Sequence, residues 1–302
     1  MKKLVIAAVL LFVVGMEVEA QGTTKMMEVY KNGGIVSYKE AISNIDSVIF
    51  VDYATSPKPS DPPSGTVIKP IPDVSSSQYD MVFVGGGTKD MDMGNNIPVG
   101  SFYIGKYEVT QNFWRYVINY TGATVGNVPL PAVPSDYTIP TFNHNFDGGN
   151  TGTYAVYKVS YNDIVNIFIP RLNAITGRTF RLPTEEEWEY AARGGNEPTN
   201  CPPNGCMYSG SNTVCDVANV YNCTSVHNMY MVGGSRDANE LGLYDMSGNA
   251  AEWTSTAYGS YHVCRGGSWW HYDSEATVIY RATTYDSDFR SDLIGFRLVL
   301  VP

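Results

Sequence analysis

The sequence has little positive charge. Its 302 residues include 20 Lys and Arg against 30 Asp and Glu, which gives a net charge of −10. An acidic surface repels the phosphates of DNA and RNA, so this balance argues against a nucleic-acid-binding protein. Hydrophobic residues make up 43% of the chain, which is enough to bury the core of one large domain or two modest ones.

Apolar runs long enough to cross a membrane are also missing. The run at residues 4–16 is too short to span a bilayer. It follows Met1-Lys2-Lys3, and Val18 and Ala20 stand at the −3 and −1 positions of a cut before Gln21. This pattern predicts a signal peptide at residues 1–20 and export to the periplasm, the cell surface or the extracellular space; a membrane anchor is the alternative. No cysteine follows the run, which argues against a lipoprotein anchor.

Cysteine is scarce and mostly clustered. Of the five cysteines, Cys201, Cys206, Cys215 and Cys223 lie close together in a stretch rich in Gly, Asn and Ser. In an exported protein this predicts two disulfides, whose pairing the sequence leaves open among three arrangements. Zinc is the alternative partner, although no Cys-x-x-Cys pair is present. The fifth cysteine, Cys264, lies in a strand-like run that predicts a buried thiol.

Proline is concentrated in one segment, residues 54–79, which together with its Ser and Asp content predicts an extended linker. Before it, residues 21–53 predict a small β unit: two strands around the turn Asn32-Gly33-Gly34 and a third at residues 47–50. After it, residues 80–302 have a globular composition and are predicted to form the main domain.

Two helices are predicted in that domain. The first begins with a Ser160–Asp163 cap and ends at Gly177, and Pro170 should kink or break it. The second begins with a capping box at Thr184 and Glu187 and ends at Gly194-Gly195. Acidic residues at 185–187 suit the first turn of this helix. Short strands and much irregular loop should make up the rest, so the predicted fold class is α+β.

Several motifs occur in a distinctive order. They are Tyr107-Glu108-Val109-Thr110, Val159-Ser160-Tyr161-Asn162-Asp163, residues 181–195 (RLPTEEEWEYAARGG), residues 242–253 (GLYDMSGNAAEW), Arg265-Gly266-Gly267-Ser268-Trp269 and Gly295-Phe296-Arg297. In order and spacing the chain resembles the formylglycine-generating enzyme (sulfatase-modifying factor) family over about 220 residues. The resemblance implies a variant of the C-type lectin fold with few regular elements.

The enzymes of that family oxidise a sulfatase cysteine to formylglycine with copper(I) held by two cysteines. The corresponding positions here are His271 and Ala276. One imidazole and one methyl group cannot replace two thiolates around a soft ion, so the sequence argues against copper and assigns no catalytic residue. Relatives with an iron site use paired histidines. The four histidines here, His144, His227, His262 and His271, have no such spacing.

The resemblance also implies structural calcium, which prefers hard oxygen ligands. One site maps onto the side chains of Asp245 and Glu252 and the carbonyls of Gly248 and Ala250. A second would begin at Asn219 and Val220, but the acidic ligand expected near residues 224–226 is missing. Ala251 stands where the family usually has an aromatic residue. The alternative is that Asp245 and Glu252 bond to loop amides.

The arginines of these motifs are interpreted as structural. Arg181, Arg193, Arg281 and Arg297 are expected to bond to carbonyls and carboxylates within the fold rather than to a substrate.

The segment between the Gly-Gly-Ser-Trp and Gly-Phe-Arg motifs is rich in Tyr, Ser and Asp, residues typical of binding surfaces. It resembles the variable segment of diversified binding proteins, some of which share this fold; a solvated polar loop is the alternative. The predicted ligand-binding residues are Trp270, His271, Tyr272, Asp273, Tyr280, Tyr285, Asp286 and Asp288.

These observations favour an exported, non-catalytic member of the family that binds a protein or glycan through its C-terminal loops. Two alternatives stay open. One is an oxidase acting on a cysteine substrate through an unusual site around His271 or Cys264. The other is a structural component of a surface assembly, docked by residues 26–53.

Overall fold

The computed structural model describes residues 61–302 apart from 72–75, 92–94, 136, 138–152, 198–200, 202–204, 224–231 and 233–235, and the backbone of four earlier strands. The chain divides into two compact units, Met1–Asp61 and Pro62–Pro302. The linker residues 54–60 and the signal-peptide cut site lie outside the described residues.

The first unit contains two strand pairs. Strands β2 (Met27–Lys31) and β3 (Gly34–Tyr38) pair antiparallel, and the predicted turn residues Asn32 and Gly33 between them lie outside the described residues. Strand β4 (Ile45–Asp52) covers the predicted third strand and pairs in parallel with β1 (Lys2–Ala8). Strand β1 lies within the predicted signal peptide. The removal of this peptide on export stays a prediction, and so do the domain boundaries.

In the described part of the second unit there are eleven strands, most of them very short. They are β5 (Val67–Ile68), β6 (Met81–Val84), β7 (Gly87–Met91), β8 (Asn95–Val99), β9 (Phe102–Gly105), β10 (Phe180–Arg181), β11 (Ala251–Tyr258), β12 (Tyr261–Arg265), β13 (Arg281–Asp286), β14 (Ile294–Gly295) and β15 (Val299–Leu300). They form an antiparallel sheet β10-β15-β9-β6-β5, a sheet β13-β12-β11-β14, and the hairpin β7-β8.

Part of the predicted linker belongs to this unit. Val67 and Ile68 pair with Val82 and Met81 as an edge strand, and Ile71 is buried. Proline suits an edge strand because the missing N–H there would face solvent. The composition therefore predicted an extended segment. It did not predict that the second half of this segment packs onto the sheet.

Both predicted helices are present. Ser160 and Asp163 form a capping box before α2 (Tyr161–Asp163), which continues through a π-helical turn (Ile164–Phe168) into α3 (Ile169–Thr176) and ends at Gly177 in the left-handed conformation. Pro170 was predicted to kink or break this helix; the helix continues through Pro170, but the π turn interrupts its α-helical pattern just before that residue. The π turn lies directly before the proline, where the absent N–H already removes one helical bond.

The second predicted helix is α4 (Glu185–Ala192), capped by Thr184 and Glu187 as expected. Two further helices were not predicted, α1 (Gln111–Ile118) and the short α5 (Val214–Val217). Thr110 caps α1 by accepting a hydrogen bond from the Phe113 amide, and the Thr-x-x-Phe spacing lacks the acidic partner of a capping box.

Large aromatic side chains fill the core between helices and sheets. Trp114 of α1 stacks on Phe168, with ring centroids 4.9 Å apart, and meets Phe296 edge-on at 6.0 Å. Trp188 of α4 and Trp253 of β11 are also fully buried. Burial of each such ring contributes about 2–3 kcal/mol. This core fixes the loops that carry the candidate site.

Candidate functional site

Two glycines shape the loop that carries the family's cysteine positions. Gly266 and Gly267 have φ of 89° and 70°, a region that side chains rarely adopt. A Cβ on Gly267 would lie 2.5 Å from the carbonyl oxygen of Glu275. The Gly-Gly-Ser motif therefore lets residues 267 and 275 approach closely, which folds the loop back on itself.

The two cysteine positions hold side chains that cannot bind copper(I) as a thiolate pair would. The His271 Nδ1 and Ser268 Oγ atoms are 2.9 Å apart in a hydrogen bond. Burial lowers the pKa of His271, against the opposing effect of Glu275, so the imidazole is favoured in its neutral form. Ala276 is completely buried beside Tyr208 and Val220. The residues present do not fit the family's copper centre.

The remaining thiol is Cys264, on β12. It is completely buried and unpaired, as predicted. Burial, and then the nearby Glu252 carboxylate, raises the pKa of this thiol well above its usual range. A protonated, enclosed thiol is a poor nucleophile and a poor metal ligand. The other four cysteines form two disulfides, Cys201–Cys206 and Cys215–Cys223.

Three aromatic rings meet on the surface beside this loop. The Tyr221 ring centroid lies 5.5 Å from that of Trp270 and 5.4 Å from that of Tyr272, at interplanar angles of 81° and 56°. The Tyr221 amide donates to the His271 carbonyl, between the two other rings in sequence. Trp270 is 53% exposed and Tyr272 55%. Tyr221, Trp270 and Tyr272 are called the aromatic patch below; Tyr221 was not among the predicted ligand-binding residues.

Glu275 joins two of the predicted ligand-binding residues, Tyr272 and Tyr280. Glu275 accepts a hydrogen bond from the Tyr272 amide and another, of 3.3 Å, from the Tyr280 hydroxyl. The Tyr285 ring stacks on that of Phe289, with centroids 4.5 Å apart. Phe289 is a surface residue that the sequence reasoning missed.

The three predicted aspartates of this segment bond to neutral donors. Asp273 accepts from the Ser274 amide, Asp286 from the Asp288 amide and Asp288 from the Asn162 side-chain amide. The structure thus places the predicted residues on one chain segment, with Trp270 to Asp273 near Tyr221 and Tyr285 to Asp288 near Phe289 and Asn162.

A cluster of buried charges lies within the domain. The Glu252 carboxylate accepts hydrogen bonds from the Arg297 guanidinium at 2.6–2.9 Å and from the Trp188 indole at 2.6 Å. Arg297 also donates to the carbonyls of Gly105 and Tyr244. Both charged residues are completely buried. The Gly-Phe-Arg and Glu-Trp motifs are therefore joined by an ion pair.

Glu108 adds another buried carboxyl group to this cluster. It accepts from the Asn249 side chain at 2.6 Å and from the Ala250 amide at 2.9 Å. Burial, then the charges of Asp245 and Glu252, raises the pKa of Glu108 well above its usual range. Glu108, Asp245, Glu252 and Arg297 are called the buried charge cluster below. Glu108 lies in the Tyr-Glu-Val-Thr motif, but its role was not predicted.

The donor set of the first calcium site fits in part. Asp245 and Glu252 lie close enough to Glu108 and Arg297 to act on the pKa values of both, and carboxylate oxygens are the ligands that calcium prefers. Asp245 is buried at a φ of 57°. Glu252 differs from the expectation, because its oxygens bond to Arg297 and Trp188. Among the described residues, no loop amide donates to the Glu252 carboxylate; the Ala250 amide donates to Glu108 instead.

The second calcium site has its first two residues buried and already bonded. The Asn219 carbonyl accepts from the Asn249 amide and the Val220 carbonyl from the Cys223 amide. Residues 224–226, its other half, lie outside the described residues. Both sites stay predictions.

The motif arginines are bonded within the fold, as predicted. Arg181 pairs with Glu187, Arg193 with Glu189 and Arg281 with Glu185. The Glu185–Glu187 run thus combines favourable helix-terminus charges with ion pairs, and no catalytic role is needed to explain it.

The fold and the site together define an α+β domain of the C-type-lectin-like, formylglycine-generating-enzyme type in which both catalytic cysteine positions are occupied by other residues. The chain belongs to the family described as sulfatase-modifying factor enzyme 1-like domain, whose model matches residues 68–301. Within the part of the chain that the structure describes, no helix has the length and apolar character needed to cross a membrane.

Three relatives illustrate the range of this family. The chain is 30% identical over 236 residues to "Chaperone protein LppX" of Paenibacillus barcinonensis, a match of 63% of this chain and 78% of that one. It is 37% identical over 132 residues to "Inactive C-alpha-formylglycine-generating enzyme 2" of Bos taurus, 39% of this chain and 42% of the relative. It is 33% identical over 134 residues to the formylglycine-generating enzyme of Mycobacterium tuberculosis, 40% of each.

The matches to the last two relatives thus span less than half of their length. Among solved structures, "Treponema denticola variable protein 1" matches 81% of this chain and 100% of its own with a TM-score of 0.57 and 20% identity, which supports the fold alone.

Proposed function

We propose that this protein is an exported, calcium-stabilised, non-catalytic member of the family that binds a ligand through its C-terminal loops. One observation carries the proposal. The loop in which the enzymes hold their cysteine pair here has a buried Ala276 and a tethered His271, and it displays the aromatic patch to solvent.

The chemistry of the patch supports binding rather than catalysis. Tyr and Trp supply large, rigid contact areas with few rotatable bonds, and they are over-represented where proteins bind their partners. Two of the three rings are more than half exposed. One relative is named a chaperone, which agrees with a protein ligand. Another is named an inactive enzyme, which agrees with the loss of catalytic activity.

An oxidase assay tests the non-catalytic part of the proposal. The protein is incubated with copper(I), oxygen and a peptide containing Cys-x-Pro-x-Arg, and the peptide is read by mass spectrometry beside an active family enzyme. We expect an unmodified cysteine. Conversion to formylglycine would show instead that the protein is an enzyme and that two cysteines are dispensable.

A binding screen tests the site. The full chain is applied to arrays of peptides and of glycans, and every ligand found is measured against the double variant Trp270→Ala/Tyr272→Ala. We expect at least about a tenfold loss, because truncated anchor residues cost about 2 kcal/mol or more. Tyr258→Ala is the matched control, since Tyr258 is an exposed ring at the end of β11. Equal losses in both variants would reject this placement of the site.

A further inference from the structure

Among the described residues, Lys106 lies against a pair of neighbouring tyrosine rings. The Lys106 ammonium lies 5.4 Å from the ring centroid of Tyr107 and 5.5 Å from that of Tyr244. The two centroids are 5.2 Å apart. Both distances lie within the range of about 6 Å in which a ring attracts a cation. Within this domain, two rings with centroids 5.2 Å apart thus already contact a lysine side chain.

The aromatic patch has nearly the same spacing at the surface. Its ring pairs are separated by 5.5 and 5.4 Å, and their steep interplanar angles leave ring faces directed around a corner instead of stacked on each other. Trp270 and Tyr272, at 53% and 55% exposure, are accessible to an approaching molecule. Tryptophan is the ring that attracts cations most strongly.

The charges beside the patch are mostly negative. Asp273 and Glu275 lie within three residues of Tyr272, and Asp286 and Asp288 lie further along the same segment. Each of these four carboxylates accepts a hydrogen bond from a neutral group. The arginines of this segment, Arg281 and Arg290, already pair with Glu185 and Asp163.

Arg236 donates hydrogen bonds to the carbonyls of Cys215 and Cys223, so its guanidinium is bound to the backbone of the segment that carries Tyr221. The whole chain, at −10, adds a field that attracts positive partners.

We propose that the aromatic patch binds lysine or arginine side chains of a basic segment of a partner protein, with Asp273 and Glu275 supplying the complementary charge. This inference rests on the proposed function and names the class of its ligand. The cationic head would lie against the faces of Trp270 and Tyr272, as the Lys106 ammonium lies against the rings of Tyr107 and Tyr244.

The openness of the patch favours a protein segment over a small free cation. An exposed cation–π contact contributes about 0.5–1 kcal/mol, which is too little to hold a single ammonium ion at low concentration. A basic segment of a partner can place several cations along residues 273–288 of this chain. The small contributions of the individual contacts then add up. The basic segment also gains from attraction to the acidic surface during encounter.

The test uses three fluorescein-labelled peptides of equal length. One alternates Lys and Ser, the second has norleucine at every Lys position, and the third has Glu there. Binding to the full chain is measured by fluorescence anisotropy at low and at physiological salt. We expect the Lys peptide to bind at least about tenfold more tightly than the norleucine peptide, and to weaken as salt rises.

Two variants separate ring chemistry from apolar area. Trp270→Leu/Tyr272→Leu keeps apolar side chains but removes the ring faces, and we expect about a tenfold loss of Lys-peptide affinity. Asp273→Asn should weaken binding by a smaller factor. Tyr258→Ala should leave the affinity unchanged, since its ring lies outside the patch.

The outcomes separate this inference from the proposed function. Equal binding of the norleucine peptide, or an unaltered affinity of the Leu double variant for the Lys peptide, overturns cation recognition by the rings. If an array ligand requires Trp270 and Tyr272 while the Lys peptide does not bind, the binding module stands and the cationic ligand is rejected. If no array ligand requires either ring, the proposed site itself is wrong.

Discussion

The buried charge cluster and the aromatic patch are built in opposite ways. In the cluster, Glu252 and Arg297 are completely enclosed and joined by several hydrogen bonds to each other and to the backbone. In the patch, Trp270 and Tyr272 are more than half exposed. The first region joins segments that are far apart in sequence, whereas the second lies at the surface, on and beside the loop that carries His271 and Ala276. One fold thus combines a framework of enclosed charges with an exposed aromatic surface.

The largest effect should come from breaking the buried ion pair. Arg297→Met leaves the Glu252 carboxylate buried without its partner, and we expect a loss of about 3–5 kcal/mol of stability or failure to fold. Lys158→Met is the control, because Lys158 and its partner Asp292 are 36% and 40% exposed; it should cost about 1 kcal/mol or less. Urea denaturation measures both, and similar losses would contradict the assigned importance of the cluster.

A smaller effect is expected at the turn beside the cluster. Gly248 has a φ of 78°, and a Cβ there would lie 2.3 Å from the Asn219 carbonyl oxygen. Gly248→Ala should cost about 1–3 kcal/mol from the backbone alone, with the clash in addition. Gly259→Ala, at a φ of 64° with open space around it, should cost about 1 kcal/mol. Thermal unfolding compares them, and a milder effect at Gly248 would show that this turn can shift.

A small effect of pH on stability is expected from His262 on β12, which is a member of neither region. The imidazole stacks on Tyr161 with centroids 3.4 Å apart, and burial lowers its pKa from 6.5. The folded state therefore favours the neutral ring. Its contribution is present above pH 6.5 and is lost as the pH falls below 6.5 toward the lower folded pKa.

The matched variant for that titration is His262→Gln. Because the ring is partly exposed, we expect its share of the pH dependence to be below about 1 kcal/mol. Denaturation midpoints at pH 7.5 and 5.5 (buffer values of about one unit on either side of the ordinary pKa) measure it. An identical pH dependence in the variant and the parent would remove His262 from the explanation.

The smallest change in stability is expected in the aromatic patch. Trp270→Ala/Tyr272→Ala should alter the free energy of unfolding by no more than about 0.5 kcal/mol per site, because exposed side chains contribute little to folding. The same variant should lose ligand binding. A large loss of stability would mean that the rings contribute to folding. The contrast between the aromatic patch and the buried charge cluster would then be wrong.

Much of the framework could be predicted from local sequence. The capping boxes at Ser160 and Thr184 placed both predicted helices, because a cap depends on residues three positions apart. The passage of the helix through Pro170 could not be predicted, since the π turn that accommodates it depends on packing around Phe168. The partners of Glu252 were missed for a related reason: Arg297 lies 45 residues away.

The sequence by itself determined the family, the α+β class and the loss of the copper-binding pair, because these depend on residue identities and their spacing. Tertiary structure alone decided that Glu108 joins the buried charge cluster and that Tyr221 completes the aromatic patch. Both depend on contacts between distant segments. Glu108 reaches Asn249, 141 positions away, and Tyr221 meets residues 270 and 272 only after the loop has folded back. No local pattern encodes such a contact, because it is set by how the core packs.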